Sequence, residues 1–163
     1  MDSEVKPKVK LYMERAGNEF RLGKALFKLS EKETIKAELG TNPNDTFYSA
    51  AISHCYYAIF YSAKAILLSK NIKTKPPEEH KKTIDEFKKN FVDTGILDVE
   101  LLRIYNSMLI RASELLHLFA YEKWKRGYFT YHTIAQANIE PARESIENSR
   151  KFLINIKKVI EKR

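Results

Sequence analysis

The sequence predicts an all-α protein, an up-and-down antiparallel bundle of four to five helices that forms a single domain over residues 1–163. Apolar residues recur at steps of three and four in four long segments, which is the period of an amphipathic helix. No segment shows the strict apolar–polar alternation of a half-buried strand. The chain has five Gly and five Pro, with 44% hydrophobic and 31% charged residues. Its length suits one domain around one core.

The first two long helices are separated by a clear break. The first carries its apolar stripe on Val9, Met13, Ala16, Phe20, Gly23 and Phe27. The stretch "LGTNPNDT" then interrupts the helical pattern. Asp45 or Thr46 is expected to cap the next helix, within residues 47–71. Because apolar and aromatic residues surround most of that helix, it is predicted to lie in the middle of the bundle.

The second half of the chain contributes one short and two long helices. Pro76 and Pro77 suit a helix start, and a short basic helix follows with Ile84, Phe87 and Phe91 on one face. Asp98 is expected to cap the next helix, whose stripe is Val99, Leu102, Tyr105, Leu109, Ala112 and Leu116. The last helix has the stripe Ala142, Ile146, Ser149, Leu153, Ile156 and Ile160, with Asn138 as a cap and Pro141 tolerated in the first turn.

Composition restricts the classes of function. The formal net charge is +8, which favours an acidic partner such as RNA, although a solvated, lysine-rich surface explains it equally well. The charged N-terminus lacks the apolar core of a secretory signal, and no run approaches the ~20 apolar residues of a membrane span. We therefore expect a cytoplasmic protein without a membrane partner. A lone cysteine, Cys55, cannot build a disulfide framework or a thiolate metal site, and no metal or cofactor is expected.

The stretch "LIRASELLHLFAY", residues 109–121, suggests chemistry on RNA. A base can take the proton of a ribose 2′-hydroxyl, which then attacks the neighbouring phosphate. His117 is suited to that role because its ordinary pKa lies near neutrality. Arg111 could hold the phosphate, since a guanidinium presents paired donors to phosphate oxygens. The two residues are therefore candidate catalytic residues.

The spacing of Arg111 and His117 imposes a geometric condition. At ~100° per residue, a separation of six places them roughly 120° apart on a continuous helix. A working site would need the helix to end between them, or a two-fold dimer that brings both residues of both subunits into one cleft. Arg126 and His132 have the same spacing, so spacing does not select the pair.

Several helices carry residues that are typical of a known family. The central helix has Tyr56, Tyr57, Ala58, Phe60, Lys64, Ala65, Leu67 and Leu68, and the short basic helix has His80, Lys81, Phe87 and Phe91. A helix with an Arg near its end and the final "ARESIENSRKFLINI" follow. Together these residues, over roughly residues 8–160, resemble the HEPN domain, specifically its small stand-alone prokaryotic members.

The resemblance implies a dimeric helical bundle that in many members is a metal-independent endoribonuclease. The family motif is Arg, four to six intervening residues, then His, and Arg111 with His117 fits it at the expected place. Several members are toxins paired with a minimal nucleotidyltransferase. Active members commonly have a polar residue directly after the Arg, whereas this chain has Ala112 there and Ser113 one position later.

Other features allow more than one interpretation. The stretch "YEKWKRGYFTYH" mixes aromatic and basic residues as an RNA surface would, and its candidate contacts are Lys123, Lys125, Arg126, Tyr128 and His132. Its aromatics could equally close the bundle end or form the dimer seam, which is the commoner role of such residues. His54 fits a core or interface histidine better than a metal ligand. The competing function is a non-catalytic HEPN module that binds nucleotide or RNA, or that scaffolds a nucleotidyltransferase.

Overall fold

The computed structural model describes the backbone of residues 5–124 and 139–162 and the side chains of residues 5–115 and 139–162. The helices are α1 (Val5–Glu31), α2 (Glu33–Glu38), α3 (Tyr48–Leu68), α4 (Glu79–Phe87), α5 (Val99–Trp124) and α6 (Ile139–Glu161), and a π-helical turn, Lys88–Val92, extends α4. These described ranges contain no strand. The all-helical fold predicted from the periodicity is confirmed.

Helices α1 and α3 pack against each other in opposite directions. The rings of Phe27 and Tyr48 meet at one end of the pair, with centroids 5.3 Å apart. The rings of Tyr12 and Tyr61 stack at 6.3 Å toward the other end. As residue numbers rise along α1 they fall along α3, so the pair is antiparallel, as predicted.

A glycine allows the close approach of these two helices. A Cβ added at Gly23 would lie 3.0 Å from the Cys55 sulfur and 3.1 Å from the Ala51 carbonyl oxygen. Cys55 is fully buried at this contact. The missing side chain thus lets the α1 backbone rest on α3.

The core is centred on α3, as the sequence predicted. Ile52, Ile59 and Ile66 of α3 are completely buried, and α3 packs against α1, α4, α5 and α6. An aromatic cluster fills the core between α4, α5 and α6. The rings of Phe87 and Phe152 lie 5.4 Å apart, and each meets the Tyr105 ring at 5.8 Å. The predicted face of Ile84, Phe87 and Phe91 is buried.

The start of α3 differs from the prediction. The residue before the helix is Phe47, and no side chain caps it, so the expected cap by Asp45 or Thr46 is wrong. Instead the Phe47 N–H donates to the Ser30 hydroxyl of α1 at 2.7 Å. A side chain from a neighbouring helix satisfies a donor that local sequence was expected to satisfy.

The starts of the last two helices agree with the sequence where they are described. The Glu100 N–H donates to the Asp98 carboxylate at 2.7 Å, which confirms Asp98 as the cap of α5. Pro141 lies in the first turn of α6, as predicted. Asn138 lies outside the described residues. No helix within residues 5–124 and 139–162 combines the length and apolar character needed to cross a membrane.

Candidate active site

Arg111 lies in the middle of α5, not near its end as expected from the sequence, and its side chain reaches the first turns of α6. Its Nη1 donates to the Pro141 carbonyl oxygen at 3.2 Å and to the Ser145 hydroxyl at 3.0 Å. Its Nη2 pairs with the Glu144 carboxylate at 2.8 Å. The Arg111 side chain is 21% exposed and that of Glu144 is 59% exposed. The guanidinium is therefore fixed on one edge by the partly buried Pro141 carbonyl and the buried Ser145 hydroxyl, and its other edge is open to solvent.

The first turns of α6 supply a prepared set of acceptors. Ser145 is completely buried and its hydroxyl also donates to the Pro141 carbonyl at 2.6 Å. The carbonyl and the hydroxyl are therefore held together before Arg111 joins them. This network is a hydrogen-bonded tie between α5 and α6, and it gives the Arg111 guanidinium a defined orientation.

A surface groove of about 470 Å³ runs along the outward side of α5 beside Arg111. It is lined by Arg103, Asn106, Ser107, Ile110, Arg111 and Glu114. Two guanidinium groups and one carboxylate give the lining a net positive charge. Ile110 in its middle is 59% exposed, which is high for an isoleucine. The groove offers cations, polar side chains and one apolar contact on a single helix face.

His117 belongs to α5, and its side chain is not among those described. Because α5 runs without a break to Trp124, no helix end separates Arg111 from His117. Their positions are thus about 120° apart around the axis, while position 117 falls within about 20° of position 110. Of the two geometric conditions deduced from the sequence, the two-fold dimer is the one left.

The other predicted RNA contacts are not brought to Arg111 by the described structure. Lys123 belongs to the last turn of α5, and its side chain is not among those described. Lys125, Arg126, Tyr128 and His132 lie outside the described residues. Their proposed roles stay predictions.

His54 has a structural partner, as the sequence favoured. Its Nδ1 lies 2.6 Å from the Glu19 carboxylate across the α1–α3 contact, and both side chains are partly buried. Within residues 5–115 and 139–162, no group of three or more His, Cys, Asp or Glu residues could hold a metal ion. His54 is therefore part of the helix contact.

A second histidine forms a cluster that sequence reasoning did not identify. The His80 ring stacks on Phe60 with centroids 4.1 Å apart, and its Nδ1 lies 2.6 Å from the Tyr56 hydroxyl. Burial lowers the pKa of His80 and raises that of Tyr56. We therefore assign a neutral imidazole whose Nδ1 accepts a hydrogen bond from the Tyr56 hydroxyl. Adjacent Tyr57 is 40% exposed. Tyr56, Phe60 and His80 were matched separately to the family, and only the fold shows that they touch.

Comparison with known families decides what kind of domain this bundle is. The HEPN domain model matches residues 23–159. The chain belongs to the HEPN domain family. The HEPN match includes Arg111, His117 and each of the predicted RNA contacts.

Three relatives are similar to this HEPN chain. "Putative toxin MJ0142" of Methanocaldococcus jannaschii is 40% identical over 89 residues, which cover 54% of this chain and 58% of that protein. "Putative toxin MJ0605" of the same organism is 29% identical over 137 residues, covering 84% of this chain and 87% of the relative. A UPF0332 protein of Thermotoga maritima is 30% identical over 118 residues, covering 72% and 76%. The HEPN chain is thus related to proteins named as toxins.

Proposed function

We propose that this HEPN protein is a metal-independent endoribonuclease that acts as the toxin-like half of a two-component module. Its partner would be a minimal nucleotidyltransferase, and its action on RNA would take place in the cytoplasm. The observation that carries the proposal is Arg111, a partly exposed cation with a fixed orientation beside the α5 groove. The toxin names of two relatives support the biological role.

The proposed chemistry uses two side chains. His117 takes the proton of the ribose 2′-hydroxyl, and the resulting oxygen attacks the adjacent phosphorus. The bond to the 5′-oxygen breaks, and this oxygen receives a proton from an imidazolium. The products are a 2′,3′-cyclic phosphate and a 5′-hydroxyl. Arg111 neutralises the charge that develops on the phosphate oxygens.

Glu144 is the partner of Arg111 that a phosphate would replace. Because the Glu144 side chain is mostly exposed, solvent screens its ion pair with Arg111, and such pairs contribute little to stability. The partly buried contacts of Nη1 with Pro141 and Ser145 would persist when the phosphate binds Nη2. Arg111 would keep its orientation while it exchanges one anion for another.

A homodimer is part of the proposal, since Arg111 and position 117 lie on different faces of one continuous helix. In a two-fold interface the same surface contributes from each subunit. The outward side of α5 has an exposed isoleucine, Ile110, beside exposed Arg103 and Asn106. We propose that two such faces approach each other, so that Arg111 of one subunit and His117 of the other border a common cleft.

The test is cleavage of a mixed single-stranded RNA and tRNA pool in EDTA, with the mass of the protein in solution measured alongside. Wild type should leave 2′,3′-cyclic ends, and Arg111→Ala and His117→Ala should each reduce cleavage by at least about a hundredfold. Ser145→Ala is the matched control, because it weakens the same α5–α6 tie without removing the cation. If Ser145→Ala reduced activity as much as Arg111→Ala, Arg111 would act through structure alone.

A second candidate function is favoured by one observation. The hydrogen bonds of Arg111 within the described residues all go to α6, as they would for a residue whose role is to join two helices. A non-catalytic HEPN module that binds nucleotide or RNA, or that scaffolds a nucleotidyltransferase, would need nothing more. Wild type that is folded and dimeric yet leaves the whole RNA pool intact would make this second candidate the better account.

A further inference from the structure

A second concave surface, which we call the lysine groove, lies at the end of the bundle opposite Arg111. It has a volume of about 420 Å³ and is formed by α1, α3 and the segment that leads into α4. Four lysines line it, Lys8, Lys64, Lys73 and Lys75, against one carboxylate, Glu79. The lining therefore has an excess of three positive charges.

Three of these lysines are available to a ligand. Lys64 is engaged, because it forms an ion pair with Glu79 in which the two side chains are 13% and 24% exposed. Lys8, Lys73 and Lys75 are exposed. No carboxylate in the part of the chain whose side chains are described lies within 4.0 Å of any of these three ammonium groups. The excess charge is therefore concentrated on three ammonium groups that a ligand can reach.

The segment that carries Lys73 and Lys75 is anchored. The Ile72 N–H donates to the Leu67 carbonyl at 3.1 Å. The buried Thr74 hydroxyl is bonded to the Thr83 hydroxyl of α4 at 2.7 Å. Buried Thr74 alternates with exposed Lys73 and Lys75, as in an extended chain whose successive side chains point to opposite sides. The two lysines therefore project to the same side from a fixed backbone.

The rest of the groove is mostly aromatic and apolar. Tyr12, Leu68, Ile72 and Thr74 complete its lining, and Leu68 and Thr74 are themselves buried. The Tyr12 ring is held by stacking on Tyr61, 6.3 Å away. A fixed aromatic ring among accessible lysines is how proteins bind single-stranded nucleic acid without reading its sequence, because phosphates meet the cations and bases meet the apolar surface.

We propose that the lysine groove binds the backbone of single-stranded RNA, as an anchoring site distant from Arg111. This inference rests on the proposed function for its choice of ligand, since an RNA-cleaving protein gains affinity from contacts outside the cleavage site. An acidic protein segment would satisfy the lysines but would leave Tyr12 and Ile72 without bases to contact. The lining of the groove therefore favours RNA.

The separation of the two sites sets the length of RNA required. Along α1, the groove lies at Lys8, and the α6 end that holds Arg111 lies beside Phe27, whose ring is 5.8 Å from the Arg143 guanidinium. Nineteen residues of helix span about 28 Å. At about 3.4 Å per stacked nucleotide, a strand that reaches both sites in one subunit needs roughly eight nucleotides.

The test measures RNA affinity against salt concentration in the intact protein. A fluorescent 20-nucleotide RNA and a 4-nucleotide RNA are titrated in EDTA, with His117→Ala as the background so that cleavage cannot intervene. The groove variant replaces Lys8, Lys73 and Lys75 with Gln. The control replaces Lys81, Lys82 and Lys89 with Gln; these three are exposed on the short basic helix and its extension, so the control has the same net charge.

The groove variant should reduce the magnitude of the logarithmic salt slope by about two, roughly 0.7 for each phosphate that no longer meets an ammonium group. The affinity for the 20-nucleotide RNA is compared at 50 and 200 mM salt. It should fall about twentyfold more for the protein with the unsubstituted groove than for the groove variant. The control should keep the slope of the unsubstituted groove. The 4-nucleotide RNA should bind the unsubstituted groove more weakly than the 20-nucleotide RNA does, since it cannot reach both sites.

Three results would overturn the inference. An equal reduction in both triple variants would mean that net charge alone attracts RNA. An unchanged slope in the groove variant would mean that the groove holds no RNA. A glutamate-rich peptide that displaced RNA at equal charge concentration would identify an acidic protein as the ligand. This assay measures binding only. Absence of RNA cleavage by wild type in the separate cleavage assay would therefore reject the nuclease proposal and leave the groove result intact.

Discussion

Helices α3 and α5 have similar lengths and opposite relations to solvent. Neighbouring helices cover α3 on nearly all sides, and fourteen of its 21 residues are buried. The outward side of α5 is uncovered and forms a groove, with Ile110 exposed beside Arg103 and Arg111. A helix whose surface is mostly covered by its neighbours has little left for a ligand, and α3 contributes only Lys64 and Leu68, near its C-terminal end, to the lysine groove. Helix α3 therefore mainly organises the fold, whereas α5 has a whole side free to carry a site.

Sequence accounts for this difference. Between Tyr48 and Leu68 the one Lys, Arg, Asp or Glu residue is Lys64, whereas α5 carries Glu100, Arg103, Arg111 and Glu114 in its first four to five turns. Charged groups resist complete burial because they lose hydration. The α5 sequence thus keeps one side in water.

The largest effect should come from shortening a side chain inside α3. Ile59 is completely buried, so Ile59→Ala should lower the free energy of unfolding by about 2–5 kcal/mol, because burial is reduced and a cavity remains. Ile110→Ala on the open side of α5 should change it by no more than about 0.5 kcal/mol at protein concentrations low enough to keep the chain monomeric, because only the proposed dimer would bury Ile110. Urea unfolding of both variants at that dilution measures the contrast. Comparable decreases there would mean that Ile110 is packed within a single subunit.

Two glycines of α1 provide a smaller test of how tightly α3 is covered. In Gly23→Ala the new Cβ meets the Ala51 backbone oxygen and the Cys55 sulfur, and we expect a destabilisation of about 1–3 kcal/mol. In Gly17→Ala the nearest atom is at the flexible end of Arg21, 3.2 Å away, so the better helix propensity of Ala should stabilise the protein by up to about 1 kcal/mol. Thermal unfolding should give opposite signs. A stabilising Gly23→Ala would show that α1 and α3 can separate slightly without cost.

The sequence predicts the positions of the helices well because their signals are local. The Asp98 cap and the largely apolar character of α3 depend on residues within a few turns of one another. The predicted stripe of α5 was partly wrong, since Val99 is 49% exposed whereas Ile104 and Met108, outside the stripe, are buried. The cap of α3 was wrong for the complementary reason. The Phe47 N–H is satisfied by Ser30, seventeen residues away on another helix, and no local pattern encodes that contact.

The candidate site was predictable only as a pair of residue types. Family resemblance selected Arg111, and helical geometry showed that His117 cannot share its face. The partners of Arg111 lie thirty or more residues along the chain, on α6, so its fixed orientation required the fold. The lysine groove draws on three separate segments, which explains why the charge distribution along the sequence did not reveal it.

The smallest effect concerns the side of α3 that faces α4. The residue that packs on Phe60 there is His80, which is titratable. Burial lowers the pKa of His80 below its ordinary value of about 6.5, with the Lys64 charge acting in the same direction and that of Glu79 opposing it. The unfolded chain therefore binds the His80 proton at a higher pH than the folded chain. Stability from this group is present above about pH 6.5 and is lost as the pH falls through the folded pKa.

His80→Gln should flatten that part of the profile, while Tyr56→Phe should retain it, because the Phe60 stack and the burial of His80 remain when the hydroxyl is removed. The measurement is the urea midpoint of each protein from about pH 7.5 to about pH 5. Parallel curves for wild type and His80→Gln would mean that water reaches the imidazole in solution. The side of α3 that faces α4 would then be open to water, and the difference in burial between α3 and α5 would be smaller than the packing indicates.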